Sequence, residues 1–288
     1  MPSIPPPPTN PPSLPPPNFD PVAVLGIASV YDRFVAEHYD EDAFGIIASS
    51  RALALAQMRA IHALKPGLLV CDFGVGTGEC LLAIDAEHEA RAMWGVDVSA
   101  RMLDLARSKL QRRGRMNVTK LLESCATQVA QQLPPRGMDV AVSHFLLNYV
   151  DHANLARAVS RTVRPDGLWS IVTSQRDSFP VLADLGRTFL PAAYDPDRHC
   201  SVPTSTERFE ALVESHGFEL VRRDRHTCPI RFDRFDQALH FARHSGWFAS
   251  DIVESVPEDV IATLRGSIAH TFPVVDEARV AVLLFRRR

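Results

Sequence analysis

A doubly wound α/β fold is predicted by three features of the 288-residue chain. Between Leu68 and Ser174, short runs rich in Val, Leu and Ile alternate with stretches of helical periodicity. These runs lack strict polar alternation, as expected of parallel strands covered on both faces. A glycine-rich turn, "CDFGVGTGE", follows the first run, where such folds bring backbone against a ligand.

Residues 1–21 hold 11 of the 22 prolines and read as a leader in polyproline II or disorder. Residues 22–64 read as N-terminal cap helices. There "YDRFVAEHYDEDAFGIIASSRALALAQMRAIHAL" carries Ile46, Ile47, Leu53, Leu55, Met58, Ile61 and Leu64 at helical spacing, and "KPG" stops it.

The ligand-binding core is predicted over residues 65–175. Strand "LLVCDF" leads to helix "GECLLAIDAE", strand "AMWGVDV" and helix "ARMLDLARSKLQRR". Then come "VTKLLES", the helix-like "ATQVAQQL", strand "MDVAVSHF", helix "DHANLARAVSRTV", turn "RPDG" and strand "LWSIVTS". Residues 176–233 continue the core through a Pro- and Asp-punctuated excursion, a helix at 206–216 capped by Gly217, and strand "FELVRRDRHTCPIRF". Residues 234–276 read as a helical lid insertion and 277–288 as the final strand.

Composition narrows the function. A net charge of −3 offers no electrostatic surface for nucleic acid. No apolar stretch reaches about 18 residues, so no membrane span is expected. The five cysteines are odd in number and form no CxxC pair, which argues against disulfides or a thiolate zinc site and fits a reducing cytoplasm. The N-terminus lacks the basic start and apolar segment of a secretory signal. A cytoplasmic enzyme is expected.

Three ligand classes use glycine turns after a strand. A triphosphate loop needs a Lys followed by Ser or Thr, whereas Gly78 precedes Glu79 and Cys80. A dinucleotide loop needs G-x-G-x-x-G; starting from Gly74 the last position is Glu79. S-adenosylmethionine (SAM) carries no phosphate, and its ammonium and sulfonium suit a loop flanked by Asp72 and Glu79. Asp97 closes the next strand, placed to accept hydrogen bonds from ribose hydroxyls.

On these motifs the chain resembles the class I SAM-dependent methyltransferases, in the branch acting on small molecules. "YDRFVAEHYD" is similar to the family's N-terminal tyrosine motif, "VCDFGVGTGE" to its first motif and "GVDVSARML" to its second. "MDVAVSHFLLNYV" with "VRPDGLWSIV" is similar to its fourth and fifth strands. The resemblance covers roughly residues 31–173. It implies a Rossmann-like, seven-strand, mostly parallel sheet with N-terminal helices and a helical lid.

The resemblance further implies roles by position. Asp72, Gly74 and Gly76 shape the methionine pocket and Asp97 holds the ribose. Val98 and Met102 flank the adenine, Ser143 and His144 lie beside the sulfonium, and Tyr31 or Tyr39 closes over the donor. The family's Gly-Asp-Ala-like segment is replaced here by "LESCAT", so Glu123, Ser124 or the Cys125 backbone takes over the adenine contact.

His144 is the candidate general base, with Asn148 and His152 orienting a polar substrate; the alternative is that His144 gives only pocket shape. His240 and His244 stand four apart on a helix, yet lack the Glu of H-E-x-x-H, and no metal is expected. The lid aromatics Phe232, Phe235, Phe241, Trp247 and Phe248 read as core, with one or two reaching a pocket. The expected function is methyl transfer to a small metabolite in specialised metabolism, by a chain compatible with a homodimer. The alternatives are a carrier-bound acyl acceptor, an inactive SAM- or partner-binding protein, and a NAD-dependent oxidoreductase.

Overall fold

The computed structural model describes residues 21–61, 65–189, 205–248 and 256–288. The leader as far as residue 20 lies outside the described residues.

Seven strands form one sheet: β1 (Leu69–Phe73), β2 (Ala92–Asp97), β3 (Thr119–Glu123), β4 (Met138–His144), β5 (Val163–Ser174), β6 (Phe218–Phe232) and β7 (Val274–Arg287). Their order is β3-β2-β1-β4-β5-β7-β6. The pairs from β3 through β5 are parallel, and β7 runs antiparallel to both β5 and β6. The chain builds outward from β1 to β3, then returns across β1 to β4. That reversal opens a crevice at the carboxyl ends of β1, β2 and β4.

Helices α1 (Pro21–Val30), α2 (Ile46–Ala60), α3 (Glu79–His88), α4 (Ala100–Arg112), α5 (His152–Thr162), α6 (Pro180–Phe189), α7 (Thr206–Ser215), α8 (Phe235–His244) and α9 (Glu258–Ile268) surround the sheet. Capping residues set several starts. Ser99 accepts from the Met102 amide, Asp151 from the Asn154 amide and Ser205 from the Arg208 amide. Trp169, Phe73, Phe218 and Phe285 are fully buried on the sheet face toward α5 and α7. Leu81, Ile84, Met93 and Leu110 fill the other face.

Within the cap, a turn of π-helix at Tyr31–Val35 and one of 3-10 helix at Tyr39–Glu41 precede α2. The break before α2 falls at Asp42 and Gly45, both with left-handed φ (35° and 66°). "ATQVAQQL" supports only a short 3-10 turn at Val129–Gln131, because Pro134 and Pro135 prevent its extension. "RPDG" is a turn carried inside β5: opposite β4 the register jumps from Val163 to Leu168, and Asp166 takes φ 61°. Finally, β7 begins at Val274, three residues ahead of the expected start.

Candidate active site

The glycine loop is held open by its own geometry. Gly74, Gly76 and Gly78 take φ of 82°, 52° and 84°, where a side chain is strained. The Gly74 and Val75 amides donate to Val96 O at 2.8 and 2.9 Å, locking the loop to β2. A Cβ on Gly74 would lie 3.1 Å from Leu146, and one on Gly78 3.2 Å from Ala106. The loop therefore stays thin enough to present backbone to a ligand.

Beside it opens a cleft of about 680 Å³ including its mouth, lined by Gly74 and Gly76, by Asp97, Val98 and Met102, and by Tyr31 and Tyr39. Asp97 accepts from the Gly76 amide at 2.9 Å and from the Ser99 amide at 3.0 Å. A carboxylate offers about four acceptor positions, and with the Ser99, Gly76 and Val98 amides on it capacity remains for a further donor from the cleft. Burial raises the Asp97 pKa, and the amide hydrogen bonds work against that rise.

Asp72 is 2% exposed beneath the loop, and its Oδ1 has no hydrogen-bond partner. Burial, with the repulsion of Asp97, raises its pKa well above the ordinary value. A buried carboxylate oxygen without a donor demands one, and an ammonium group would supply it. Glu79 does not share this task. Its carboxylate pairs with Lys109 at 2.6 Å and faces Arg51 at 3.9 Å. The expectation that Glu79 serves a cationic ligand is thus corrected: lysine already neutralises it.

The adenine side holds Ser124, Cys125 and Ala126 along with Val98 and Met102. The Ser124 amide donates to Asp97 O at 2.9 Å, which draws this loop against the cleft. Glu123 is exposed and outside the lining, since its position in β3 turns it to solvent. Of the three residues expected to replace the missing acid, Ser124 and Cys125 are brought to the cleft.

At the far end, His144 lines the cleft beside Phe145, Leu146 and Tyr149. Its Nε2 lies 3.1 Å from Ser170 Oγ and its Nδ1 3.6 Å from Cys80 Sγ. Burial, reinforced by the Arg51 charge, lowers its pKa to about 3, so the ring is neutral at physiological pH. Ser143, one residue earlier, points to the opposite face, where its hydroxyl accepts from Trp169 Nε1 at 3.1 Å. Strand alternation makes the two residues mutually exclusive as cleft lining, and Ser143 falls inside. His152 Nε2 meets Leu147 O at 2.9 Å and its ring packs on Phe209, on the α7 side. Asn148 also lies outside the lining, its Oδ1 buried with no partner. The polar trio expected to handle the acceptor is not assembled.

Other contributors were missed. Phe145 takes φ 56°, an uncommon and strained value for an aromatic residue, with its amide donating to Val172 O at 2.7 Å. Tyr31 OH donates to Tyr149 OH at 3.0 Å, and Tyr149 OH donates to Gly246 O at 2.5 Å. This chain of phenols links cap, core and lid over the cleft. Asp32 and Asp40 dock the cap: Ser99 Oγ donates to Asp32 at 2.5 Å, and Thr77 Oγ1 to Asp40 at 2.6 Å. Asp32 and Asp40 fall inside "YDRFVAEHYD", and Phe145 and Tyr149 inside "MDVAVSHFLLNYV", but which groups they meet is set by long-range packing.

A switch-point crevice, a strand-end acid on its wall and a buried carboxylate oxygen lacking a donor among the described residues suit a cationic nucleoside such as SAM. Comparison with known proteins agrees. The methyltransferase domain family matches residues 70–167. The ubiquinone/menaquinone biosynthesis C-methyltransferase UbiE of Syntrophotalea carbinolica is 30% identical over 195 residues, spanning 62% of this chain and 78% of that relative. The geranyl diphosphate C-methyltransferase of Streptomyces coelicolor superposes with TM-score 0.54 at 12% identity, over 94% of this chain and 89% of that one. The YcgJ protein of Bacillus subtilis superposes with TM-score 0.55 at 17% identity, over 82% and 99%. These two structures share the fold. The chain belongs to the class I SAM-dependent methyltransferases of small-molecule type.

Proposed function

We propose that this methyltransferase alkylates a small, mainly apolar metabolite of specialised metabolism at carbon. The carbon's electron pair takes the methyl, the S–CH3 pair returns to sulfur, and the proton of the methylated carbon passes to water instead of a protein base. The state of His144 carries this reading. Both ring nitrogens face side chains of the fold, and with a pKa of about 3 the imidazole holds a proton too weakly to take one in the transition state. The remaining role is that of pocket wall.

Bound SAM supplies an electrophilic methyl on a cationic sulfur. What the chain contributes is alignment, worth about 7–11 kcal/mol in well-oriented reactions. Asp97 and Asp72 are assigned the two ends of the donor, and Tyr31 and Tyr39 its cover. Burial raises both phenol pKa values, so they stay protonated and uncharged beside it. A second cleft of about 520 Å³ including its mouth shares Tyr39 and is walled by Phe44, Ile47, Phe241 and Trp247, with His38, Glu41, His240 and His244 also in its lining. Its apolar wall favours an apolar acceptor. Similarity to a quinone-pathway C-methyltransferase supports carbon as the methylated atom.

The test uses purified protein with isotopically labelled SAM and a panel of quinols, prenyl diphosphates and thiols, read by mass spectrometry. Once an acceptor is found, His144→Gln should keep kcat within a few-fold. Wild-type kcat should show no inflection from an enzyme imidazole. A drop on the order of 10²–10⁴ in the variant would restore the general base.

A further inference from the structure

We propose that His38, Glu41 and His240 form a binding site for a divalent transition metal of the zinc type, at the seam where the lid helix meets the N-terminal cap. Their ligand atoms all lie within 4.8 Å of one another. Glu41 is the hub: Oε1 is 2.6 Å from His38 Nδ1 and Oε2 is 3.1 Å from His240 Nε2. Two imidazoles and one carboxylate are a ligand set known for zinc, and small rotations would bring these donors to bonding distance.

His244 adds an independent observation. It stands one turn along α8, its ring centroid 4.3 Å from His38 and 4.6 Å from His240. Its Nδ1 lies 2.7 Å from Phe34 O. A carbonyl only accepts, so Nδ1 carries the proton and Nε2 keeps the lone pair. That is the tautomer of a metal-ligating histidine whose other nitrogen is held by a backbone carbonyl.

The donor chemistry names the metal class. Imidazole nitrogen favours zinc, nickel and copper, whereas magnesium and calcium prefer oxygen cages. The exposed positions of Glu41 and His240 provide an entry path. The consequence is mechanical. His38 and Glu41 flank Tyr39, which lines both clefts, while His240 and His244 belong to α8. A bound ion would fasten the lid to the cap at the mouth of the second cleft.

The experiment titrates the full chain, stripped with chelator, with Zn²⁺ by calorimetry and with Co²⁺ by visible absorption. One ion per chain is expected, with the d–d bands of a low-coordinate Co²⁺ site and a higher Tm. Replacing a ligand, in His240→Ala or His38→Ala, should weaken Zn²⁺ by at least roughly a hundredfold, more than the loss of an outer-shell partner. Glu41→Gln keeps the shape and should weaken it as well. Unchanged SAM affinity in His240→Ala shows that the variant is folded. Absence of micromolar binding, or equal binding by wild type and all three variants, would overturn the site and leave a plain hydrogen-bonded histidine cluster.

Discussion

Asp72 destabilises the chain that surrounds it until a cation arrives. Its folded pKa is raised above the ordinary value of 3.8 by burial and then by Asp97. The folded state therefore holds its proton longer than the unfolded one. This contribution to stability is complete below the unfolded pKa and is lost as pH rises through the folded value. Asp72→Asn should accordingly raise the Tm of the ligand-free protein at neutral pH and flatten its decline with pH. The same change removes the charge proposed to face the ammonium of SAM. Affinity should fall by about 1.5–3 kcal/mol, roughly tenfold to a hundredfold by calorimetry. A lower Tm with unchanged affinity would show that the carboxylate is structural. Asp97→Ala differs in kind: it removes the acceptor that holds the Gly76 amide as well as the ribose contact. Its SAM affinity should fall at least as far, with no gain in stability.

Elements explain what the sequence revealed and what it concealed. The glycine loop and Asp97 were legible because a turn against a ligand and an acid at a strand end are local requirements. The resemblance put both Ser143 and His144 beside the sulfonium, yet strand alternation lets only one of two neighbours face the cleft, and that one is His144. The partners that silence His144, Ser170 and Cys80, come from other elements and leave no trace at position 144. The lid is the extreme case. Its attachment runs through Tyr149 OH to Gly246 O, across 97 residues of sequence. Tyr149→Phe removes this hydrogen bond and the one accepted from Tyr31 OH, while keeping the ring packed edge-on to Tyr31. The expected cost to global stability is about 1–3 kcal/mol for the two bonds. Faster hydrogen exchange should be confined to α8, the segment 245–248 and Tyr31–Val35. Uniform acceleration across the sheet would mean that Tyr149 serves the core instead of the lid.

At the scale of the molecule, the donor cleft is assembled from three regions that fold against one another. The parallel strands supply the loop and the acids, the cap supplies the tyrosines, and Gly246 of the third region accepts from Tyr149 on the cleft wall. The cap is docked by charge: Lys109 pairs with Asp40 and with Glu79, each at 2.6 Å, and is itself only 14% exposed. Such partly buried, charge-assisted contacts exceed the small value of surface pairs. A ligand that binds only the docked form stabilises it by mass action, by about 2.7 kcal/mol at a hundred times its Kd. SAM should therefore slow hydrogen exchange in residues 31–45 together with the glycine loop, while α5 and α7, across the sheet, change little. Lys109→Met should loosen the cap in the ligand-free protein, and a saturating level of SAM should restore most of the protection. Because only the docked fraction binds, apparent SAM affinity falls in proportion to that fraction. Protection limited to residues 74–79, with the cap unmoved by SAM, would separate the tyrosines from the donor and break the link between docking and binding.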